Sequence, residues 1–156
     1  MTLPFLTPLT APDLRAAGIP DPWTYGIKDR VRFGELDALN HVNNVVYLRW
    51  YETLRVQYME DYGVYELAGP DPKFVVKSVS VDYRAEVHRG AEYVNVGRTV
   101  SMRNTSFAMD YATFVDGQIT TTGTCIAVIL NADNSKRPLT EALRQRFIQR
   151  DGTQQM

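Results

Sequence analysis

The chain predicts an α+β domain in which a curved antiparallel sheet wraps one long, mostly buried helix. Three observations carry that expectation: an aromatic-rich segment with helical periodicity, several downstream segments with strand periodicity, and strong turn signals between those strands.

Residues 1–22 hold five prolines and read as a loosely structured N-terminal arm with one helical turn near Leu14. The main domain takes residues 23–138 and opens with a strand from Trp23 to Phe33. A helix from about Asn44 to Tyr62 follows, because Tyr47, Tyr51, Leu54 and Tyr58 recur at i, i+4, i+7 and i+11. Val46, Trp50 and Met59 widen that apolar face, Asn43 is the expected N-cap and Gly63 the expected stop.

Beyond E-L-A-G-P-D-P the period changes from 3.6 to 2. Val75, Val79, Val81, Tyr83 and Ala85 are expected on one strand face and Ser78, Ser80, Asp82 and Arg84 on the other, with Lys77 interrupting the apolar side. Three more strands are expected over 92–102, 106–116 and 118–130, with turns at Arg103-Asn104-Thr105 and Asp116-Gly117, so that four consecutive antiparallel strands result. Residues 139–156 form a terminal helix and tail, with Leu139, Leu143 and Phe147 inward and Arg144, Arg146 and Arg150 on a solvated face. A sheet this small leaves open edges, which predicts pairing with a second copy as a homodimer or a dimer of dimers.

Composition excludes several classes. At 156 residues, 44% hydrophobic and 22% charged, the chain fits one globular domain. Seventeen basic against eighteen acidic side chains leave a net charge of −1 with no basic stripe, which argues against nucleic acid as a partner. One cysteine makes no intramolecular disulfide and suggests a reducing, cytoplasmic setting; Cys125 reads as an inert strand thiol. The first residues lack a basic start and are broken by proline, so neither a signal peptide nor membrane insertion is expected. Two histidines and one cysteine show no ligand spacing, so no metal is expected, and neither a phosphate-binding glycine loop nor a G-x-S-x-G elbow is present.

The chemistry concentrates in E-L-D-A-L-N-H-V-N-N, residues 35–44. Asp37, His41, Asn43 and Asn44 gather where the first strand feeds the helix, at backbone N–H groups without helical partners and at the positive end of the helix dipole. Each has a plainer reading. An acid at a helix start stabilises by about 0.3–1 kcal/mol without catalysing anything. His41 can bond a loop carbonyl, and the asparagines can simply cap the helix.

The layout over residues 25–130, with E-L-D-A-L-N-H-V-N-N-V-V-Y-L-R-W-Y-E-T-L-R, resembles the hotdog-fold thioesterases of the 4-hydroxybenzoyl-CoA thioesterase type. D-x-x-x-H-V-N-N is also similar to a stretch of plant acyl-carrier-protein thioesterases, whose asparagine two residues after the acid is replaced here by Leu39; only His41 matches. The resemblance implies that Asp37 is the catalytic carboxylate, as general base or as nucleophile, assisted by His41 or Asn43. A glutamate further along the helix, Glu52 or Glu60, serves in some members, but neither spacing fits well.

The implied reaction is hydrolysis of an acyl thioester of coenzyme A or of a carrier protein. No cofactor is required, coenzyme A being part of the substrate. The leaving thiol departs as an anion at a pKa of about 8.5, so strong acid catalysis is not needed. A backbone N–H of Asn44 or Val45 would take the developing oxyanion. Arg84, Arg89, Lys136 and Arg137 are candidates for the phosphates, while Tyr47 and Trp50 would line the acyl group. Two alternatives share the fold: acyl binding without hydrolysis, and a dehydratase or hydratase.

Overall fold

The computed structural model describes residues 2–156. Its sheet contains β1 (Pro8–Thr10), β2 (Tyr25–Arg30), β3 (Lys73–Tyr83), β4 (Glu92–Met102), β5 (Ser106–Val115), β6 (Gln118–Leu130) and the short β7 (Gln154–Gln155). The helices are α1 (Ala11–Ala16), α2 (Val46–Asp61), α3 (Val64–Leu67) and α4 (Glu141–Asp151). Strand order is β1-β2-β4-β5-β6-β3, antiparallel throughout, with β7 added in parallel to β4.

Helix α2 lies in the concave face because its aromatic stripe has a matching sheet surface. Tyr51 stacks on Tyr111 with centroids 4.9 Å apart, and Trp50 stacks on Tyr93 at 4.0 Å. Glycine permits the close approach: a Cβ on Gly123 would sit 3.0 Å from the Tyr51 ring, tighter than packed carbons tolerate. Buried hydroxyls find partners, Tyr51 with Thr113 at 3.0 Å and Tyr58 with Thr99 at 2.8 Å.

The meander is three strands long, not four. β3 pairs with β6 at the far edge of the sheet, and β2 takes the place beside β4. A β3–β4 hairpin is prevented by residues 84–91, whose Val87 is buried and accepts at its carbonyl from the Val42 N–H at 2.8 Å. That crossover segment is tied to the strand–helix junction instead of folding into a tight turn.

Lys77 does not interrupt an apolar face. The register shifts between Val76 and Ser78, so Lys77 is the extra residue of a bulge. Val76 and Val79 oppose Ala127 and Cys125 on the concave side, while Val75 opposes Val128 on the convex side, which corrects the expectation that Val75 shares a face with Val79. The bulge flips the alternation once. Asp116 and Gly117 turn as expected, both with positive φ (49° and 75°), the type I′ geometry that matches hairpin twist.

The N-terminal arm is more ordered than its prolines suggest. β1 extends the sheet beside β2, and α1 starts from a Thr10–Asp13 capping box. Leu9, Leu14 and Ile19 cover Val96, Ala112 and Phe114 on the convex side, a second hydrophobic cluster. Helix α4 also departs from expectation. Arg144 donates to the Arg103 and Asn104 carbonyls and Arg146 to the Tyr62 carbonyl at 2.6 Å, so these arginines fasten loops rather than line a solvated face. Cys125 is buried, with Sγ 3.0 Å from the Tyr111 hydroxyl.

Candidate active site

The junction between β2 and α2 is built from short hydrogen bonds. A 3₁₀ turn at Phe33–Glu35 leads to Leu36, which bridges Val42. Between them the loop closes on itself: the Asp37 N–H donates to the His41 carbonyl at 3.0 Å, and the Asn40 N–H to the Asp37 carbonyl at 3.1 Å. Asn40 takes φ 62°, a left-handed conformation that asparagine tolerates. The Asp37 carboxylate accepts the Leu39 N–H at Oδ1, 2.9 Å, and Oδ2 has no partner among the described residues. One oxygen is therefore held and the other is available for chemistry.

Asp37 is half-buried in the wall of an open cleft of about 300 Å³ shared with His41, Asn44, Tyr47, Tyr83 and Arg84. His41 and His88, 47 positions apart in sequence, meet as a bridge across this junction. Glu86 stands between their rings, 3.5 Å from His41 Nε2 and 3.8 Å from His88 Nε2. Sequence reasoning missed Glu86 and gave His88 no part in the site, because nothing local marks the crossover segment as a neighbour. Among the described residues no group of three or more His, Cys, Asp or Glu side chains is placed to hold a metal ion.

Helix α2 begins at Val46 with Val45 as its N-cap, two residues later than expected, and Asn43 acts one step earlier. Its Oδ1 accepts the Val45 N–H at 3.1 Å and its carbonyl accepts the Val46 N–H at 2.9 Å. The Val45 N–H is thereby occupied, whereas the Asn44 N–H has no acceptor among the described residues. Tyr83, from the end of β3, donates to the Asn44 carbonyl at 2.6 Å. Sequence periodicity marked Tyr83 as an inward strand residue and gave no sign of this contact.

The other site residues separate. Tyr47 is buried beside the cleft, its ring 5.4 Å from that of Tyr83, and burial raises its phenol pKa above the ordinary value. Trp50 touches Tyr47 but lines a second crevice, its Nε1 donating to Glu35 Oε1 at 3.0 Å. Arg84 lines the cleft; Arg89 lies over the Phe33 ring at 5.2 Å. Lys136 borders a groove on the convex sheet face, and Arg137 donates to the Ala68 and Pro70 carbonyls. Glu52 and Glu60 are exposed on α2, outside the cleft.

The arrangement has the parts that hydrolysis can use: a carboxylate oxygen without a partner and a main-chain N–H without an acceptor at a helix start, among the described residues, with Tyr47 and Tyr83 lining the same cleft. Residues 31–147 match the thioesterase-like superfamily. The chain is similar to a thioesterase-superfamily protein from Jannaschia sp. CCS1, with a TM-score of 0.90 and 44% identity over 97% of this chain and 98% of that one. It is also similar to a thioesterase from Thermus thermophilus solved with coenzyme A and zinc, with a TM-score of 0.70 and 31% identity over 81% and 93% of the two chains. A 1,4-dihydroxy-2-naphthoyl-CoA thioesterase from Synechocystis shares the fold, with a TM-score of 0.68 at 14% identity over 78% and 93%. No curated protein sequence matches the chain significantly.

Proposed function

The chain belongs to the thioesterase-like superfamily and is a thioester hydrolase, and on that premise we propose that it hydrolyses acyl-CoA thioesters in the Asp37 cleft. The observation that carries the reading is the Asp37 carboxylate, oriented by the Leu39 N–H through one oxygen and unpartnered at the other. A Thermus relative of 31% identity that binds coenzyme A supports the choice of carrier.

In this reading the thioester carbonyl lies against the Asn44 N–H, where the helix dipole favours negative charge. Asp37 Oδ2 then deprotonates a water that attacks the carbonyl carbon, or attacks that carbon itself to give an anhydride that water cleaves. In both routes the C–S bond breaks to release coenzyme A thiolate, and the acyl group leaves as a carboxylic acid. His41, held near Glu86, orients the water, and Asn43 fixes the turn that presents Asn44. Tyr47 lines the acyl group, and Arg84 at the cleft rim meets the carrier's phosphates.

The active unit is proposed as a dimer formed through β3. Val76 and Val79 are 44% and 47% exposed on the concave side of an edge strand whose outer backbone has no neighbour in the sheet order. A second copy paired along this edge would cover both valines and continue the sheet.

The test is incubation with short, long and aromatic acyl-CoAs, following free thiol and identifying the acid. Equimolar thiol and acid are expected. An altered acyl chain without thiol release would indicate a hydratase or dehydratase, and binding without either product would indicate an acyl-binding protein.

A further inference from the structure

A second crevice, of about 290 Å³, lies on the other side of α2 from the Asp37 cleft, between that helix and strands β2 and β4. Its apolar surface comes from Leu6, Ile27, Leu54, Trp50 and Tyr93. At the rim stands Arg49, and among the lining side chains is Asn95, only 5% exposed. None of these residues is assigned a part in thioester hydrolysis except Trp50, which the structure turns away from the cleft.

The capacity left open in the crevice is mainly that of donors. Each side-chain carboxylate and amide oxygen lining it already receives a donor, leaving the Thr53 and Tyr93 hydroxyls as the side-chain acceptors still open. Asp29 accepts the Arg30 N–H at 2.8 Å and pairs with Arg32 at 2.9 Å. Glu35 accepts from Trp50 Nε1 at 3.0 Å and from the Arg32 N–H at 2.8 Å, and Asn95 Oδ1 accepts from Thr113 at 2.7 Å. The donors are free. Asn95 Nδ2 and the Tyr93 hydroxyl have no partner among the described residues, yet neither is sealed from solvent, which places both toward the open space. Arg49 has no carboxylate within 4.0 Å among the described residues, and Arg32 and Arg49 together offset the charge of Asp29 and Glu35. Burial and the nearby Asp29 and Glu35 carboxylates raise the Tyr93 phenol pKa, so it stays a neutral donor at every physiological pH.

We propose that this crevice is a second small-molecule site, taking a carboxylic acid with a single-ring apolar body. Its ring packs against Ile27, Leu54 and Trp50, and its oxygens accept from Arg49 at the rim and from Asn95 and Tyr93 within. Donors that reach water only through a narrow crevice are poorly hydrated, and an acceptor-bearing ligand pairs them directly. An acid without a ring, or a ring without an acceptor, uses only half of what the site offers.

The test is titration of benzoate into the full-length protein, read by NMR at the Asn95 side-chain amide and the Trp50 indole N–H, with Trp23→Phe assigning the two indoles. A saturable shift of both signals is expected, weakened about tenfold in Arg49→Gln, since an ion-paired hydrogen bond is lost. Asn95→Leu should abolish it, and benzyl alcohol should bind at least tenfold more weakly than benzoate. Arg49 is exposed, so Arg49→Gln keeps the fold even where Asn95→Leu does not. Binding retained in Asp37→Ala separates this crevice from product binding in the cleft, and the titration needs no hydrolytic activity. No saturable shift, equal affinity in Arg49→Gln, or loss of binding in Asp37→Ala would each overturn the proposal.

Discussion

The Tyr83 hydroxyl donates to the Asn44 carbonyl at 2.6 Å, and this bond pins one end of a peptide unit whose other end, the Val45 N–H, is held by Asn43 Oδ1 at 3.1 Å. With the 44–45 peptide fixed at both ends, the backbone that follows the Asn44 N–H at the cleft wall is held in place. A strand residue at the sheet edge thus sets the proposed oxyanion donor at the helix start.

Tyr83→Phe should therefore lower kcat by about tenfold, the worth of one positioning hydrogen bond, while leaving KM nearly unchanged. Asn43→Ala should act in the same direction, and the double variant should lose less than the product of the two effects, because both bonds hold one peptide. Steady-state kinetics on the four proteins checks this; independent, multiplying effects would break the link.

Val79→Glu places a charge on the open β3 edge. If a second copy covers this surface, sedimentation velocity should show the variant as a monomer where the wild type is a dimer. A monomeric wild type would remove the dimer from the account.

Asp151, the last residue of α4, is a buried carboxylate that accepts from Tyr58 at 2.5 Å, Tyr62 at 2.7 Å, Thr24 at 2.6 Å and the Thr99 N–H at 2.7 Å. It joins α4, α2 and β4 far from the cleft. Asp151→Ala strands four donors and should destabilise the fold by about 3 kcal/mol or more in denaturant titration. A loss below about 1 kcal/mol would mean that water replaces the carboxylate.

Tyr58 and Tyr62 supply a pH dependence. Burial first, then the Asp151 charge, raise both phenol pKa values above the ordinary 10. A raised folded-state pKa means that the associated stability is intact below pH 10 and is lost as pH climbs through the folded values. Each tyrosine should contribute a slope of about 1.4 kcal/mol per pH unit in that window. Denaturation midpoints measured from pH 8 to 12 should fall beyond 10, and Tyr62→Phe should flatten the fall.

How far the sequence foretold this molecule follows from the range of the interactions. The α2 stripe, the β4, β5 and β6 strands and the Asp116-Gly117 turn depend on neighbours within a few residues, and periodicity exposed them. The place of β3 beside β6 depends on Val87 docking at Val42, a contact across 45 positions. The bulge at Lys77 is invisible in composition because a single extra residue changes no propensity. Likewise the cluster at 35–44 revealed where the cleft lies, but Glu86, His88 and Tyr83 reach it through the crossover and the sheet edge. Asp151 was hidden inside an arginine-rich helix face, since only the folded chain brings Tyr58, Tyr62 and Thr24 around it.

The central claim is that the free oxygen of Asp37 carries out thioester hydrolysis. Its most direct test is the rate of coenzyme A release by wild type and by Asp37→Asn, which keeps an oxygen for the Leu39 N–H while removing the charge. A drop in kcat of about 10²-fold or more in a folded Asp37→Asn protein is the predicted result. Turnover within a fewfold of wild type would contradict the account and move the chemistry to another residue.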